Sequence, residues 1–218
     1  MDGPRAGGLN LAVSDPHADV AVDAIRFAEQ GLERGAARTA VIEAGIVAMD
    51  PAAPGNAHDA SCSCPGNLMA PPFAPSPGEF GRWLGAFQTA VLLEVEEPDP
   101  GRGPWVQGGE GWRCAWHRVR ADRDRWPATK AAWSRLQQVT SWVERESMRR
   151  GYYLAVGFGA GDCELCEVCD TAQLCVEPYA ARPSLEAVGV DVAATRAAAG
   201  WDEPALGQTT LTGLLLLV

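Results

Sequence analysis

The sequence predicts an α+β (or α/β) fold, a single mixed sheet with helices packed on it and a cysteine-rich metal-binding loop. Three observations carry this expectation. Short apolar, β-rich runs occur singly and are separated by segments of helical period, the pattern of one sheet covered by helices. The 218 residues are 47% hydrophobic, which suits a single domain over 1–218 with a real core. Four of the seven cysteines crowd between Cys163 and Cys175. No internal repeat is visible. The chain divides into a mixed α/β body over 14–150, with a Pro-rich loop at 50–77, and a cysteine-rich segment with a closing strand over 151–218.

Ser14-Asp15-Pro16 reads as a helix start, a capping side chain followed by proline in the first turn. Val20, Ala24, Phe27, Ala28 and Leu32 follow at helical spacing, and Gly35 ends the run. His17 falls in the first turn. Thr39 to Met49 is apolar and β-rich, a buried strand. Asp50 to Pro77 is long and irregular, and it holds His58, Cys62 and Cys64. A stretch of that length inside a domain is functional or disordered.

Phe80 to Phe87 suits a short helix and Thr89 to Glu97 a strand. Pro98 to Gly111 is a Gly/Pro-rich loop, with Trp105, Trp112 and Trp116 in or just after it. Pro127 to Arg150 is the longest helix, with Ala132, Leu136, Val139 and Val143 as its buried stripe and Gly151 as its stop. Tyr152 to Phe158 reads as a strand leading into the cysteine loop. Ser184 to Gly200 suits one or two short helices, and Thr209 to Val218 a final apolar strand.

The net charge of −10 argues against a nucleic-acid partner, because phosphate is bound by clustered Lys and Arg, and Lys130 is the sole lysine. No secretory signal is visible, and the longest apolar run, Leu214 to Val218, is too short to span a bilayer. The expectation is a soluble, cytoplasmic protein with no membrane partner. Thiols in that compartment are kept reduced, so clustered cysteines bind metal or do redox work more often than they form disulfides.

The strongest signal is Cys163-x2-Cys166-x2-Cys169-x5-Cys175. Three cysteines at two-residue spacing wrap a loop around a compact object, and a fourth follows from further along, as an iron–sulfur cubane requires. Bacterial ferredoxins use a related run ending in Cys-Pro; here Pro178 trails Cys175 by three residues. Zinc is the alternative ligand, although structural zinc sites more often combine two separated cysteine pairs. The acidic neighbours Asp162, Glu164, Glu167 and Asp170 read as solvated surface rather than ligands.

The run Gly161-Asp162-Cys163-Glu164-Leu165-Cys166-Glu167-Val168-Cys169, then Cys175, then Ala181-Arg182-Pro183-Ser184-Leu185-Glu186-Ala187-Val188-Gly189-Val190-Asp191-Val192, resembles the signature of the predicted metal-binding proteins grouped as domain-of-unknown-function family 2284. The closing Gly213-Leu214-Leu215-Leu216-Leu217 is similar to that family's last strand. The resemblance is specific from about residue 151 to the end and weaker over about 20–150. It implies a small cytoplasmic metal or iron–sulfur protein and no particular reaction. The family also carries an N-terminal cysteine group ending in Cys-Pro-Pro. The matching stretch here, Cys62-Ser63-Cys64-Pro65-Gly66-Asn67-Leu68-Met69-Ala70-Pro71-Pro72, has Ala70 in place of the last cysteine, so a second centre is lost or differently ligated.

Other residues carry weaker signals. Cys62 and Cys64 are a remnant of a second site, an extra ligand pair, reactive thiols, or free thiols in a loop. Cys114 reads as a small core residue, and His117 as a ligand, an acid/base group or a structural histidine. Cys62, Cys64 and His117 are thus the catalytic candidates. Arg182 is a candidate to neutralise the cluster or hydrogen-bond its sulfurs. Trp105 and Trp112 are candidate pocket walls, and Trp133 a core residue. Gly157-x-Gly159-x-Gly161 follows a strand but leads into cysteines rather than a helix, so it is not a nucleotide loop.

The resulting expectation is an iron–sulfur protein, with a 4Fe-4S cluster on Cys163, Cys166, Cys169 and Cys175, acting in electron transfer or as an oxidoreductase component with a redox partner protein. The alternatives are a biosynthetic enzyme using its metal centre on a small-molecule substrate, and a structural zinc-binding interaction module.

Overall fold

The computed structural model describes residues 16–52, 66–96, 107, 111–202 and 210–218. The elements run α1 (Pro16–Glu33), β1 (Arg38–Glu43), α2 (Pro77–Leu84), β2 (Thr89–Glu96), α3 (Trp112–Ala121), α4 (Trp126–Arg149), β3 (Val156–Phe158), α5 (Val192–Ala198) and β4 (Thr210–Leu217). Short 3-10 turns lie at Ala44–Ile46 and Glu186–Val188. The strands form one four-stranded sheet in the order β1-β2-β4-β3. Every pairing is antiparallel, so the fold is α+β and the sheet is not mixed.

The two central strands are apolar on both faces because both faces are covered. In the β2–β4 register Val91 lies opposite Leu215 and Val95 opposite Leu211. These side chains meet Phe27 of α1 and Leu136, Val139 and Val143 of α4. On the other face Leu92 and Leu214 meet Phe80 and Leu84 of α2, together with Leu185, Val188 and Val190, which follow the cysteine loop. All eight residues of β4 are buried. Each fully buried Leu or Val contributes roughly 1.5–3 kcal/mol, so these strands anchor everything attached to them.

Helix α4 lies unusually close to the sheet, and two glycines permit it. A Cβ on Gly213 would stand 2.8 Å from the Phe158 carbonyl oxygen and 3.2 Å from both Leu136 Cδ1 and Thr140 Oγ1. A Cβ on Gly157 would stand 2.8 Å from Thr140 Cγ2. The spaced glycines continue beyond the strand: a Cβ on Gly159 would meet Gln137 Oε1 at 3.2 Å, and one on Gly161 the Trp116 ring at 2.6–2.8 Å. The Gly157-x-Gly159-x-Gly161 run is therefore a packing track beneath α4 and α3, which explains why it resembles a phosphate loop without leading into a helix.

Several boundaries differ from the sequence expectation. The strand expected over Thr39–Met49 stops at Glu43, where the chain turns into the first 3-10 turn. The strand expected from Tyr152 begins only at Val156, because Gly151 with φ 102° starts a tight turn there. The short helix expected at Phe80 starts at Pro77, where Ser76 and Glu79 form a reciprocal cap. Helix α3 was not expected at all. Among the described residues no helix is long and apolar enough to cross a membrane.

Gly213→Ala should destabilise the fold by about 1–3 kcal/mol, the usual cost of overpacking a rigid core. Denaturant unfolding checks this; an unchanged midpoint would mean that α4 is free to lift off the sheet.

Candidate metal centre

The cysteine loop leaves the sheet edge at β3 and is clamped at its start by one face of α3. Arg113, Trp116, His117 and Arg120 recur at helical spacing and all point at the segment Gly161–Glu167. Arg113 Nε donates to Asp162 Oδ1 at 2.9 Å and Arg113 Nη2 to Asp162 Oδ2 at 2.9 Å, with both side chains almost wholly buried. His117 Nε2 lies 2.9 Å from Asp162 Oδ2. Trp116 Nε1 donates to Glu164 Oε1 at 2.8 Å, and Arg120 Nη1 stands 3.4 Å from Glu164 Oε2.

Asp162 and Glu164 are therefore not solvated surface, as the sequence suggested; they are buried anchors. Glu167 and Asp170, further along, are exposed as expected. Burial alone would raise the Asp162 pKa, but the hydrogen bonds from His117 and Arg113 outweigh it and hold the carboxyl below its usual range. The carboxylate is thus ionised and can only accept, so the His117 Nε2–H donates to it. Burial pushes Glu164 up, against the pull of Trp116, Arg120 and Lys130. Lys130 reaches from α4 to donate to the Glu164 carbonyl, and its ammonium lies 4.5 Å from the Trp133 ring centroid. Burial lowers the Lys130 pKa, while Glu164 and Cys163 draw it back up.

Cys163, Cys166, Cys169 and Cys175 are free, half-buried thiols. Burial pushes the Cys163 thiol up to about 11, and the charges of Cys175, Cys166 and Cys169 all push the same way. Cys166 is raised too, by desolvation and then by Cys175 and Cys169. Cys163 thus feels the other three thiols, and Cys166 feels two of them. Among the described residues, however, no three Cys, His, Asp or Glu side chains are already closed around a single ion. The donor set itself suits a thiophilic metal or cluster: four thiols in one irregular loop, with the Leu68 backbone N–H donating to Cys169 Sγ at 3.5 Å.

Leu68 belongs to the stretch that follows Cys62 and Cys64. Asn67 Nδ2 donates to the Cys163 carbonyl oxygen at 3.1 Å, and Gly66 packs against Thr171. Two parts of the sequence about a hundred residues apart therefore meet at the thiols. Cys62, Cys64, His58 and Trp105 lie outside the described residues. A cleft of about 470 Å³ opens here, lined by Gly66, Asn67, His117, Arg120, Cys163 and Cys166 among others.

The remaining candidates fall elsewhere. Arg182 is engaged by Glu144 of α4 and by the carbonyl oxygens of Tyr179 and Ala181. Trp112, expected as a pocket wall, is buried against Ala187. Trp133 is a core residue as expected. Cys114 is buried on α3 and disulfide-bonded, not a free core thiol.

A sequence profile of one protein family matches residues 41–217, most of the chain, and describes that family as predicted metal-binding protein (DUF2284). The chain belongs to this family. DUF2284 membership thus covers not only the cysteine loop but also the sheet, α3 and α4, the parts that hold the loop in place. No curated protein and no solved structure matches.

Glu186, in the 3-10 turn that follows the loop, suits a helix first turn in the sequence, which gives no sign of its burial. Its side chain is fully buried and neither carboxyl oxygen closes a good hydrogen bond; Ser184, Gln107 and the Gly161 backbone only approach it. Burial pushes its pKa from 4.5 up to about 7. The folded state thus holds a proton that the unfolded chain has released, and stability falls as pH rises from about 4.5 to about 7, by at most about 1.4 kcal/mol per pH unit. Glu186→Gln should flatten that decline, so that the variant gains on the wild type between pH 5 and pH 8 in denaturant midpoints; parallel curves would show that Glu186 is solvated.

Asp162→Asn should cost about 3–5 kcal/mol, because it removes the negative charge that the buried Arg113 guanidinium is paired with. Limited proteolysis at 163–179 should accelerate with it, and an unchanged cleavage rate would refute the clamp.

Proposed function

We propose that this DUF2284 chain holds an iron–sulfur cluster, in its simplest form 4Fe-4S, on Cys163, Cys166, Cys169 and Cys175, and serves in electron transfer or as a redox enzyme component. The observation that supports this reading most is that four free thiols at the spacing Cys163-x2-Cys166-x2-Cys169-x5-Cys175 lie in one loop that starts from a buried anchor. The x2, x2 spacing favours a cubane over zinc, whose structural sites more often draw on two separate knuckles. Such a cluster, when bound, supplies one-electron redox chemistry. The chain's own contribution is to fix the loop: Asp162 and Glu164 are held by α3, Lys130 by the Glu164 carbonyl, and Asn67 and Leu68 close over the sulfurs.

Protein purified without oxygen should be brown, carry about four iron and four sulfide per chain, bleach with dithionite and give an EPR signal when reduced. Each Cys→Ser variant at 163, 166, 169 or 175 should lose most of that iron. Equimolar zinc with no iron would replace this reading with the structural zinc module, and chelation should then unfold the C-terminal region.

A second reading is favoured by the cleft. Its volume of about 470 Å³ suits a small molecule, and His117, oriented by Asp162, stands on its wall beside three of the cysteines. In that reading the protein is a biosynthetic enzyme whose metal centre meets the substrate directly. His117→Gln would then keep its metal and lose turnover, whereas an electron carrier would keep both.

A further inference from the structure

The cysteine loop has two unlike halves. Residues 161–165 are bolted to α3 and α4, while the outer half carries Val168, Leu174, Val176 and Tyr179 at 80%, 92%, 75% and 93% exposure. Four large apolar side chains this exposed within one short stretch are costly to leave in water and are the material of an interface core, with tyrosine as an anchor. Interleaved with them are Glu167, Asp170 and Glu177, all exposed, and residues 167–179 contain no Lys, Arg or His. We propose that this outer half is the docking surface for a protein partner presenting an apolar patch rimmed by lysine and arginine.

Charge decides between occupants. A second copy of this chain would set the same three carboxylates against each other, on a molecule of net charge −10. Nucleic acid and an anionic lipid surface would be repelled by the same groups. A basic protein rim is complementary in sign, and the overall negative charge steers it in from a distance. The surface lies on the same loop as the four thiols, so a partner seated there sits over the proposed centre. The inference needs only the loop's surface and not the identity of the metal, so it stands or falls independently of the iron analysis.

The test places the photo-crosslinking residue benzoylphenylalanine at Tyr179 in the full chain, expressed in its native cells, with the same residue at Ile25 of α1, 52% exposed, as control. Crosslinked protein is identified by mass spectrometry, then purified and titrated against the wild type. The expected result is one basic protein captured at 179 and not at 25. Its dissociation constant should rise about tenfold or more with Tyr179→Asp, an exposed anchor. It should also rise with Glu177→Lys and with added salt, while metal content and circular dichroism stay those of the wild type. No crosslink above the Ile25 control, a crosslink to a second copy of the chain, or a captured protein that binds Tyr179→Asp and Glu177→Lys as tightly as wild type would each overturn it.

Discussion

Everything at the candidate centre depends on the buried pair between Arg113 and Asp162. A fully desolvated guanidinium and carboxylate are tolerated only when each satisfies the other in good geometry. Here the pair does so with two donors on two oxygens, and His117 takes up a remaining lone pair. Because Asp162 immediately precedes Cys163, fixing its side chain fixes the backbone from which the first thiol projects. The rest of the anchor repeats the device one turn further along α3, where Trp116 and Arg120 hold Glu164. An irregular loop gains from tertiary contacts what it lacks in secondary-structure hydrogen bonds.

The sheet supplies the rigidity behind that anchor. Gly157, Gly159 and Gly161 let β3 and its extension run beneath α4 and α3 with no side chain between them. The result is a continuous close contact from Thr140 through Gln137 to Trp116, ending where the cysteines begin. Leu185, Val188 and Val190 then return the chain to the opposite face of the sheet. The loop is therefore pinned at entry and exit by the two sides of the same core, and only its middle is free to shape itself around a ligand.

Much of this was legible in the sequence. The helical stripe of α4, the apolar run of β4 and the α+β layout follow from periodicity and from Gly151 and Gly35 as stops. The four cysteines announced themselves by spacing. What was not legible came from contacts between distant segments. Helix α3 is hidden because Gly111 offers no capping side chain and the charged Arg113, Arg118 and Arg120 dilute its short apolar stripe of Trp112, Trp116 and Val119. Asp162 and Glu164 looked like solvated charge because their partners lie more than forty residues upstream. The meeting of Asn67 and Leu68 with the late cysteines is a tertiary fact with no local signature. Trp112 looked like a loop tryptophan because the helix it starts was not recognised.

The clamp also explains an apparent contradiction in the charge around the thiols. Burial raises the Cys163 thiol, and the other three cysteines push it the same way, so its proton is favoured over the anion. Yet the nearest ordered side chains include two carboxylates, which on their own would make the site still less hospitable to negative charge. Each carboxylate is matched: Asp162 by Arg113 and His117, Glu164 by Arg120 and Lys130. The carboxylates thus bring their own partners with them, and Lys130 also feels Cys163. Any metal bound through these thiols would have to displace their protons, so its affinity would rise with pH. The contacts that anchor the loop therefore fall mainly on Asp162 and Glu164, while the Leu68 N–H reaches a sulfur.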